Sequence, residues 1–429
     1  MIRLTTTQPD FAARFAALVN ARREPDADVS RDVATIIADV KARGDAAVAD
    51  YTARFDGHDL SATGWWISAE QCAEALAALP HDLRTALELA ATRIRAYHAT
   101  QRPEDRDYTD ATGVRLGARW SAVDAAGVYV PGGRAAYPSS VLMNAIPARV
   151  AGVERLVMVT PTPKGEVNPL VLAAAAICGV DEVWRIGGAQ AIASLSFGTD
   201  TIAPVDVITG PGNAWVAEAK RQVYGVVGID MVAGPSEIVV LADGANDPDW
   251  IAADLLSQAE HDPTSQSILF SDDAAFGDKV AVAMEARLQA LATQGTARAS
   301  WYANGAIIIV RTLAEALPLI DRLAPEHLEI ATDDPAPLFA KVRHAGSVFL
   351  GRHTPEAIGD YVAGPNHVLP TGRRARFSSG LSVLDFMKRT SFLACDEAAL
   401  AQIGPAAVAL AEAEGLPAHA ASVAIRINQ

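Results

Sequence analysis

A glutamine and a histidine stand one helical turn apart in the stretch LLSQAEHDPTSQ, residues 255–266. Apolar periodicity predicts a helix that has Pro248 at its favoured first position and that ends before Pro263. Gln258 and His261 then share one helix face, where an amide continues an apolar stripe. The pair could bind a metal, although glutamine is not among the common zinc ligands, or it could be a polar helix end bonded to a neighbouring loop.

A second candidate is the adjacent pair Glu326-His327 in RLAPEHLEIAT. The spacing of Thr312 and Glu315 predicts a capping box that opens a helix; Pro325 ends this helix, and a strand follows. Junctions between helix and strand often expose catalytic groups in α/β folds. A glutamate with a raised pKa and a histidine suit general base catalysis; the alternative is an ordinary surface pair.

A third region, residues 353–389, is rich in glycine, proline and charge, and it predicts a long ordered loop. Such loops inside compact domains are usually functional. Asp360 follows Gly359 there, and its short carboxylate could reach a metal or simply form a turn. His353 and His367 lack a partner at ligand-like spacing, so we assign them a structural role.

Three glycine-rich turns follow strand-like runs, in GVYVPGGRAAYPSS, RIGGAQAIASLSFGT and VDVITGPGNAWVAEAKRQV. Backbone amides at the helix start in the third would favour an anion such as a pyrophosphate. Trp215 occupies the place of the third glycine of G-x-G-x-x-G, so the Rossmann fingerprint is weak, even with Asp230 near the offset of about 20 residues expected of a ribose-binding acid. The turns could line one cofactor edge, or each could be only a tight turn.

The elements that must position these residues change along the chain. The first ~110 residues show helical periodicity, and from about Val123 short β-branched runs alternate with helical stretches. Such alternation predicts βαβ units and a mainly parallel sheet. The run divides near Gly234-Pro235, which indicates two α/β units side by side with a cleft between them. The last ~50 residues return to helical periodicity, as an arm that needs something to pack on.

Size and composition agree with this organisation. A chain of 429 residues exceeds the size at which one core keeps growing. Its net charge of -15 and pI near 5.0 argue against a nucleic-acid partner. The three cysteines, Cys72, Cys178 and Cys395, fit a reduced compartment and are expected to be buried. No apolar run approaches the ~20 residues that span a bilayer, so we expect a cytoplasmic protein without membrane partners.

Taken together, long ordered strings resemble the L-histidinol dehydrogenase family from about residue 30 to the C-terminus. The resemblance is carried by VYVPGGRAAYPSSVLMNAIPARVAGV, RIGGAQAIASLSFGT, TGPGNAWVAEAKR, MVAGPSEIVVLAD, LLSQAEHD, APEHLEIAT and GDYVAGPNHVLPTGRRARFSSGLSVLDFMKR. It implies two Rossmann-like α/β units of aldehyde-dehydrogenase-like plan. It also implies a zinc-dependent enzyme that uses NAD to oxidise L-histidinol through L-histidinaldehyde to L-histidine, ending histidine biosynthesis.

The resemblance also implies roles for individual residues. The family's zinc ligands fall on Gln258, His261, Asp360 and His419. Its substrate contacts fall on these four residues and on Ser236, His327 and Glu414. Its NAD contacts fall on Tyr129, Gln190 and Asn213, and its proton acceptors fall on Glu326 and His327. Ala357 departs from the family, which often has serine there, and this puts only a local hydrogen bond in doubt.

These inferences give an expected organisation of the chain. We predict an N-terminal helical region (1–120), an NAD-binding α/β unit (121–235), an α/β unit with the zinc and catalytic residues (236–380), and a helical arm (381–429). In the family the arm crosses to the partner subunit of a homodimer. Two alternatives remain open: a zinc-dependent hydrolase, which would leave the three glycine turns unused, and a non-catalytic scaffold stabilised by zinc.

Overall fold

The computed structural model describes residues 1–21, 27–132, 137–232 and 234–427. The strands are β1 (Ile2–Thr5), β2 (Trp66–Ile67), β3 (Arg106–Thr109), β4 (Arg115–Ala122), β5 (Ala125–Tyr129), β6 (Arg155–Val159), β7 (Glu182–Trp184), β8 (Val207–Thr209), β9 (Gly228–Ile229), β10 (Glu237–Ala242), β11 (Gln266–Ser271), β12 (Ala306–Ile309), β13 (His327–Ala331), β14 (Ser347–Leu350) and β15 (Met387–Ala394). The helices are α1 (Phe11–Asn20), α2 (Ala27–Arg43), α3 (Asp45–Asp56), α4 (Leu60–Thr63), α5 (Ala69–Ala77), α6 (His81–Ala99), α7 (Pro138–Ala151), α8 (Pro169–Cys178), α9 (Gly188–Phe197), α10 (Ala214–Val223), α11 (Pro248–Ala259), α12 (Ala274–Ala290), α13 (Gln294–Asn304), α14 (Leu313–Leu323), α15 (Ala336–Phe339), α16 (Glu356–Tyr361), α17 (Glu397–Ala413) and α18 (Pro417–Ala424). Short 3₁₀ turns cover Pro163–Gly165, Arg374–Arg376 and Val383–Phe386.

The first α/β unit is built on a six-stranded sheet of order β2-β7-β6-β5-β8-β9, parallel except for β2 against β7. Strand β6 shows why its sequence is almost wholly apolar. Leu156 and Met158 enter the hydrophobic cluster formed with α7 and α8, whereas Val157 and Val159 enter the cluster formed with α2, α9 and α10. A sheet covered on both faces needs apolar residues at successive positions.

The second α/β unit has an entirely parallel sheet of order β1-β12-β11-β10-β13-β14. In β10, Ile238 and Val240 pack with α11 and α12, whereas Val239 and Leu241 pack with α1 and α14. Both sheets therefore confirm the predicted fold class. The short β-branched runs that alternate with helical stretches after Val123 form strands of these two sheets, as predicted.

The N-terminal region differs from the expectation of helices alone. Ile2–Thr5 forms an edge strand of the second sheet, Trp66–Ile67 pairs with β7 of the first, and Arg106–Thr109 pairs with β4. Helix was the wrong prediction for these residues. Each strand is two to four residues long, too short to show an alternating pattern, and each forms only because a distant partner is present. The predicted domain boundaries stay a prediction.

The C-terminal arm begins with a strand where helix was expected. Met387–Ala394 pairs antiparallel with β4, and the three-stranded sheet has the order β15-β4-β3. Beyond it α17 packs on α18, and Gly415 between them has a left-handed φ of 72°, which is common after the last residue of a helix. Three arm side chains are strongly exposed: Leu393 at 71%, Leu410 at 66% and Ile425 at 74%. The arm thus presents apolar surface that its own chain leaves uncovered.

The cysteines follow the prediction in two cases out of three. Cys72 and Cys178 are buried, whereas Cys395 is partly exposed, because it follows the exposed strand β15. Among the residues that the structure describes, the helices are all too short or too polar to cross a membrane.

Candidate active site

The pair Glu326-His327 lies at the junction between α14 and β13, as predicted. The Thr312 side chain caps α14 by accepting from the Glu315 amide, but the Glu315 carboxylate accepts from Arg311 instead of completing the capping box. Both members of the pair are buried, with Glu326 at 7% exposure and His327 at 3%. Burial of two ionisable groups excludes the alternative of an ordinary surface pair.

Both side chains are held by the backbone of one residue, Glu237, at the start of β10. The Glu237 amide donates to the Glu326 carboxylate at 2.9 Å, and the His327 Nδ1 lies 3.0 Å from the Glu237 carbonyl oxygen. A carbonyl can only accept, so Nδ1 carries the proton. The Nε2 atom of His327 is then an acceptor, and no hydrogen-bond partner for it occurs in the described part of the chain.

The electrostatics of the pair keep His327 unprotonated, although burial also weakens it as a base. Burial lowers the pKa of His327 to about 4, against the opposing effect of its bond to the Glu237 carbonyl. Burial also raises the pKa of Glu326 well above its ordinary value, although the bond from the Glu237 amide opposes that shift. The imidazole is therefore neutral near pH 7, and the carboxyl group is shifted towards the range in which a general base operates.

The helix end with Gln258 and His261 forms as predicted, because α11 ends at Ala259. The Gln258 Nε2 lies 3.3 Å from the His261 Nδ1, so the two side chains point to one place. Gln258 is fully buried, and its Oε1 has no hydrogen-bond partner among residues 1–21, 27–132, 137–232 and 234–427. A buried amide oxygen without a partner is costly unless something else binds it.

Asp360 lies on the short helix α16, where an irregular loop was expected. Glu356, one turn earlier on that helix, is 1% exposed and accepts from the Ser257 hydroxyl at 3.0 Å. Burial, together with the nearby Glu356, raises the pKa of Asp360 to about 8, and burial raises the pKa of Glu356. Burial disfavours the ionised forms of these two carboxyl groups. A cation bound beside them would stabilise both as anions.

Glu356 and His367 are functional candidates that the sequence reasoning missed. The His367 Nδ1 lies 3.1 Å from the Asp360 carbonyl oxygen, and burial lowers the pKa of this histidine to about 4. A structural role was expected for His367, yet it adjoins a site residue. The available signal was Pro355 at a helix start, followed by acidic residues four positions apart. His353, the other histidine of the segment, packs against Trp250.

The donor atoms near Asp360 fit a metal ion. One ligand atom each from His327, Glu356 and Asp360 lies within 4.8 Å of the other two. Imidazole nitrogen and carboxylate oxygen are normal zinc ligands. This group shares only Asp360 with the four ligands that the family resemblance implies, although Gln258 offers an unpartnered oxygen and the His261 charge influences the pKa of His327 and of Glu356.

The other residues that were predicted to contact the substrate or the zinc lie in two separate parts of the structure. Ser236 directly precedes Glu237, and its carbonyl accepts from the Gln266 amide at 3.0 Å. Glu414 and His419 instead line a cavity of about 350 Å³ on the arm. Across the described residues, no hydrogen bond, ion pair or shared cavity joins Glu414 or His419 to the cluster around Asp360.

The three predicted NAD contacts lie at the carboxyl ends of β5, β7 and β8 in the first sheet. Tyr129 ends β5, and its hydroxyl accepts from the Gly188 amide at 3.1 Å, which joins it to the start of α9. Gln190 on α9 is buried, and its Oε1 has no partner in the portion of the chain described. The Asn213 side chain caps α10 by accepting from two amides. Residues 133–136 of the first glycine turn lie outside the described residues.

This edge includes the point at which the strand order of the first sheet reverses. Strand β5 lies between β6 and β8, and helices follow on both faces. Open α/β sheets bind ligands at such a switch point. With a buried Glu-His pair at the start of β13 in the second unit, this arrangement defines the class of the protein, a two-unit α/β protein with a candidate ligand site at the first sheet.

Comparison with known proteins gives the family. The model of the family described as Histidinol dehydrogenase matches residues 19–427. The chain belongs to the histidinol dehydrogenase family. This membership overturns the alternative of a zinc hydrolase. That alternative had been open because a zinc hydrolase would also use a glutamate, a histidine and a metal ion.

Full-length relatives agree with the family match. Histidinol dehydrogenase of Zymomonas mobilis is 66% identical over 429 residues, covering 100% of both chains. That of Rhodospirillum rubrum is 62% identical, covering 100% of this chain and 99% of the relative. Among solved structures, histidinol dehydrogenase from Elizabethkingia anophelis has a TM-score of 0.94 at 34% identity, covering 100% of this chain and 98% of the other.

Proposed function

We propose that this protein oxidises L-histidinol to L-histidinaldehyde and then to L-histidine, with NAD as hydride acceptor and zinc at the substrate site. The observation that carries the proposal is the unprotonated Nε2 of His327, buried beside Glu326 and aligned by the Glu237 backbone. In an assay with purified protein, L-histidinol and NAD, nicotinamide absorbance should rise. An absence of reduced nicotinamide in the presence of zinc would contradict the proposal.

His327 and Glu326 divide the proton transfers between the two oxidations. The His327 Nε2 accepts the hydroxyl proton of the alcohol while the hydride passes to the nicotinamide, which leaves the aldehyde. Glu326 then takes a proton from water as the water oxygen bonds to the aldehyde carbon, giving the hydrate as its monoanion. Loss of the second hydride and of a proton from the hydrate gives the carboxylate. The raised pKa of Glu326 makes it a stronger base once it is ionised.

Gln258, His261 and Asp360 would hold the zinc, together with His419. The unpartnered Gln258 oxygen and the raised pKa of Asp360 support this donor set. When bound, zinc supplies a positive charge and positions for the amino and imidazole nitrogens of the substrate, which Ser236, Glu414 and His327 would also contact. Glu356, whose pKa burial raises, would remain beside the metal as a neighbour of Asp360.

His419 and Glu414 would reach this site from a second copy of the chain. Two observations support an exchanged arm in a homodimer: both residues lie on the arm, away from the Asp360 cluster, and the arm exposes Leu393, Leu410 and Ile425. An element exchanged between identical chains covers its apolar surface on the partner and makes both sites composite. A cytoplasmic location stays a prediction.

NAD would bind across the carboxyl edge of the first sheet. Tyr129, Gln190 and Asn213 lie there, and the Gln190 oxygen, which has no partner among the described residues, would accept from a polar group of the cofactor. The starts of α9 and α10 also lie at the positive ends of their helix dipoles, which favour the pyrophosphate. This placement uses all three glycine turns of the sequence.

Removal of zinc with a chelator should reduce L-histidinol oxidation to background while leaving the fold largely intact. The two large hydrophobic cores of each unit do not depend on one ion. Turnover and far-ultraviolet circular dichroism should be measured on the same chelated sample, with zinc added back as the control. Full turnover after complete chelation would contradict the metal assignment, and unfolding on chelation would favour the zinc-stabilised scaffold.

A further inference from the structure

A buried ion pair, Lys220 with Asp230, lies behind the proposed NAD edge. The side chain of Lys220 is 3% exposed and that of Asp230 is 1% exposed. The offset of Asp230 from the glycine turn had suggested a ribose-binding acid. Its carboxylate is instead engaged with Lys220 and with the amides of Gly210 and Met231, at 2.9 and 2.6 Å. These contacts agree with the weak fingerprint, and the pair needs another explanation.

The ion pair binds both backbone polar groups of Gly210. The Lys220 Nζ donates to the Gly210 carbonyl at 2.9 Å, and the Asp230 Oδ2 accepts from the Gly210 amide at 2.9 Å. Hydrogen bonds to ionised groups are stronger than neutral ones, so the peptide groups on either side of Gly210 have little freedom to rotate. Gly210 opens the turn Gly210-Pro211-Gly212-Asn213, which leads into α10.

Gly210 also lies against the strand that ends in Tyr129. It has a φ of +114°, and a Cβ built on it would lie 2.1 Å from the Tyr129 carbonyl oxygen. The turn therefore approaches β5 as closely as backbone allows. Lys220 sits on the helix that Asn213 caps, so the turn is anchored both at its first residue and through the helix that follows.

Burying two charges is costly, and an apolar pair of similar volume would often be as stable or more so. A hydrophobic pair, however, could not hold the amide and the carbonyl of Gly210 in fixed directions. We infer that Lys220 and Asp230 are positioning residues for NAD: they hold the Gly210–Asn213 turn against Tyr129, so that Asn213 and Tyr129 present one cofactor site. This inference rests on the NAD placement proposed above.

The test separates cofactor binding from folding. Lys220→Met leaves the Asp230 charge buried alone, so the principal variant is Lys220→Met with Asp230→Asn, which removes both charges and keeps an acceptor for the Gly210 amide. Lys220→Arg retains a charged donor. Arg221→Met is the matched control, because Arg221 is the next residue of α10, is exposed, and pairs with Glu218 on the same helix.

The double variant should raise KM for NAD and the dissociation constant of NADH by roughly 10- to 100-fold, the scale of an ångström-level misplacement. KM for L-histidinol should change by no more than about twofold, Lys220→Arg should recover most of the NADH affinity, and Arg221→Met should match the wild type. A folded double variant with wild-type NADH affinity would overturn the inference, as would equal increases in both KM values. NADH binding, measured without L-histidinol, separates this result from the substrate assignment: a wild-type chain that binds NADH but does not oxidise L-histidinol contradicts only the latter.

Discussion

Glu326→Gln is expected to slow oxidation of L-histidinaldehyde by roughly 10²- to 10⁴-fold, the usual loss on removal of a general base, and to slow oxidation of L-histidinol less. Water activation belongs to the second oxidation alone. Glutamine can still accept the bond from the Glu237 amide, so the local structure should persist. Single-turnover rates with each substrate, followed by nicotinamide absorbance, measure the two steps separately.

His327 provides the comparison, because its Nε2 serves the first proton transfer and lies at the same site. Replacing His327 by asparagine should slow both oxidations. Glu315→Gln, a change to a surface carboxylate on α14 that pairs with Arg311, should alter neither. Equal losses for L-histidinol and L-histidinaldehyde in Glu326→Gln would refute the proposed division of labour between the two residues.

A mixture of two variants that each fail to form L-histidine should regain that activity if the arm acts on the partner chain. Glu326→Gln and His419→Ala chains are unfolded together and refolded. Each mixed dimer then has one site with both lesions and one with neither. Random pairing makes about half of the dimers mixed, so activity should return to about a quarter of the wild-type level.

A second mixture serves as its control. Glu326→Gln combined with His261→Ala places both lesions in the body of the chain, so every site of a mixed dimer retains one lesion and the mixture should stay inactive. If the first mixture also stays inactive although mixed dimers form, the arm serves its own chain. That outcome would refute the proposal of an exchanged dimer, but it would not contradict the assignment of the zinc ligands.

Local sequence signals located the proposed catalytic centre well, because its residues lie where regular elements begin and end. Pro263 and Pro325 follow the helices whose ends place Gln258 and Glu326. The strand prediction that puts His327 at the start of β13 is confirmed, since successive apolar residues mark a sheet covered on both faces.

Features that depend on distant partners were not visible in the sequence. Strand β15 was expected to be helical. Its residues are almost all exposed, so no burial pattern marks it as a strand in the sequence, and only the pairing with β4 makes it one. Glu356 was missed because its burial depends on Ser257 and His327, which lie far from it in sequence. Asp230 matched a motif spacing, yet the sequence could not show that Lys220 occupies its carboxylate.

Strand β1 has a consequence for how the chain is made. Ile2–Thr5 pairs with Ala306–Ile309, so during synthesis this strand waits for a partner that is made about 300 residues later. At the ~5–20 residues added per second during synthesis, that interval is at least roughly 15 seconds. Until then the second sheet lacks one edge, because its strands β1 and β10 to β14 do not come from one continuous length of nascent chain. Assembly of the second sheet is therefore expected to be completed only late in synthesis.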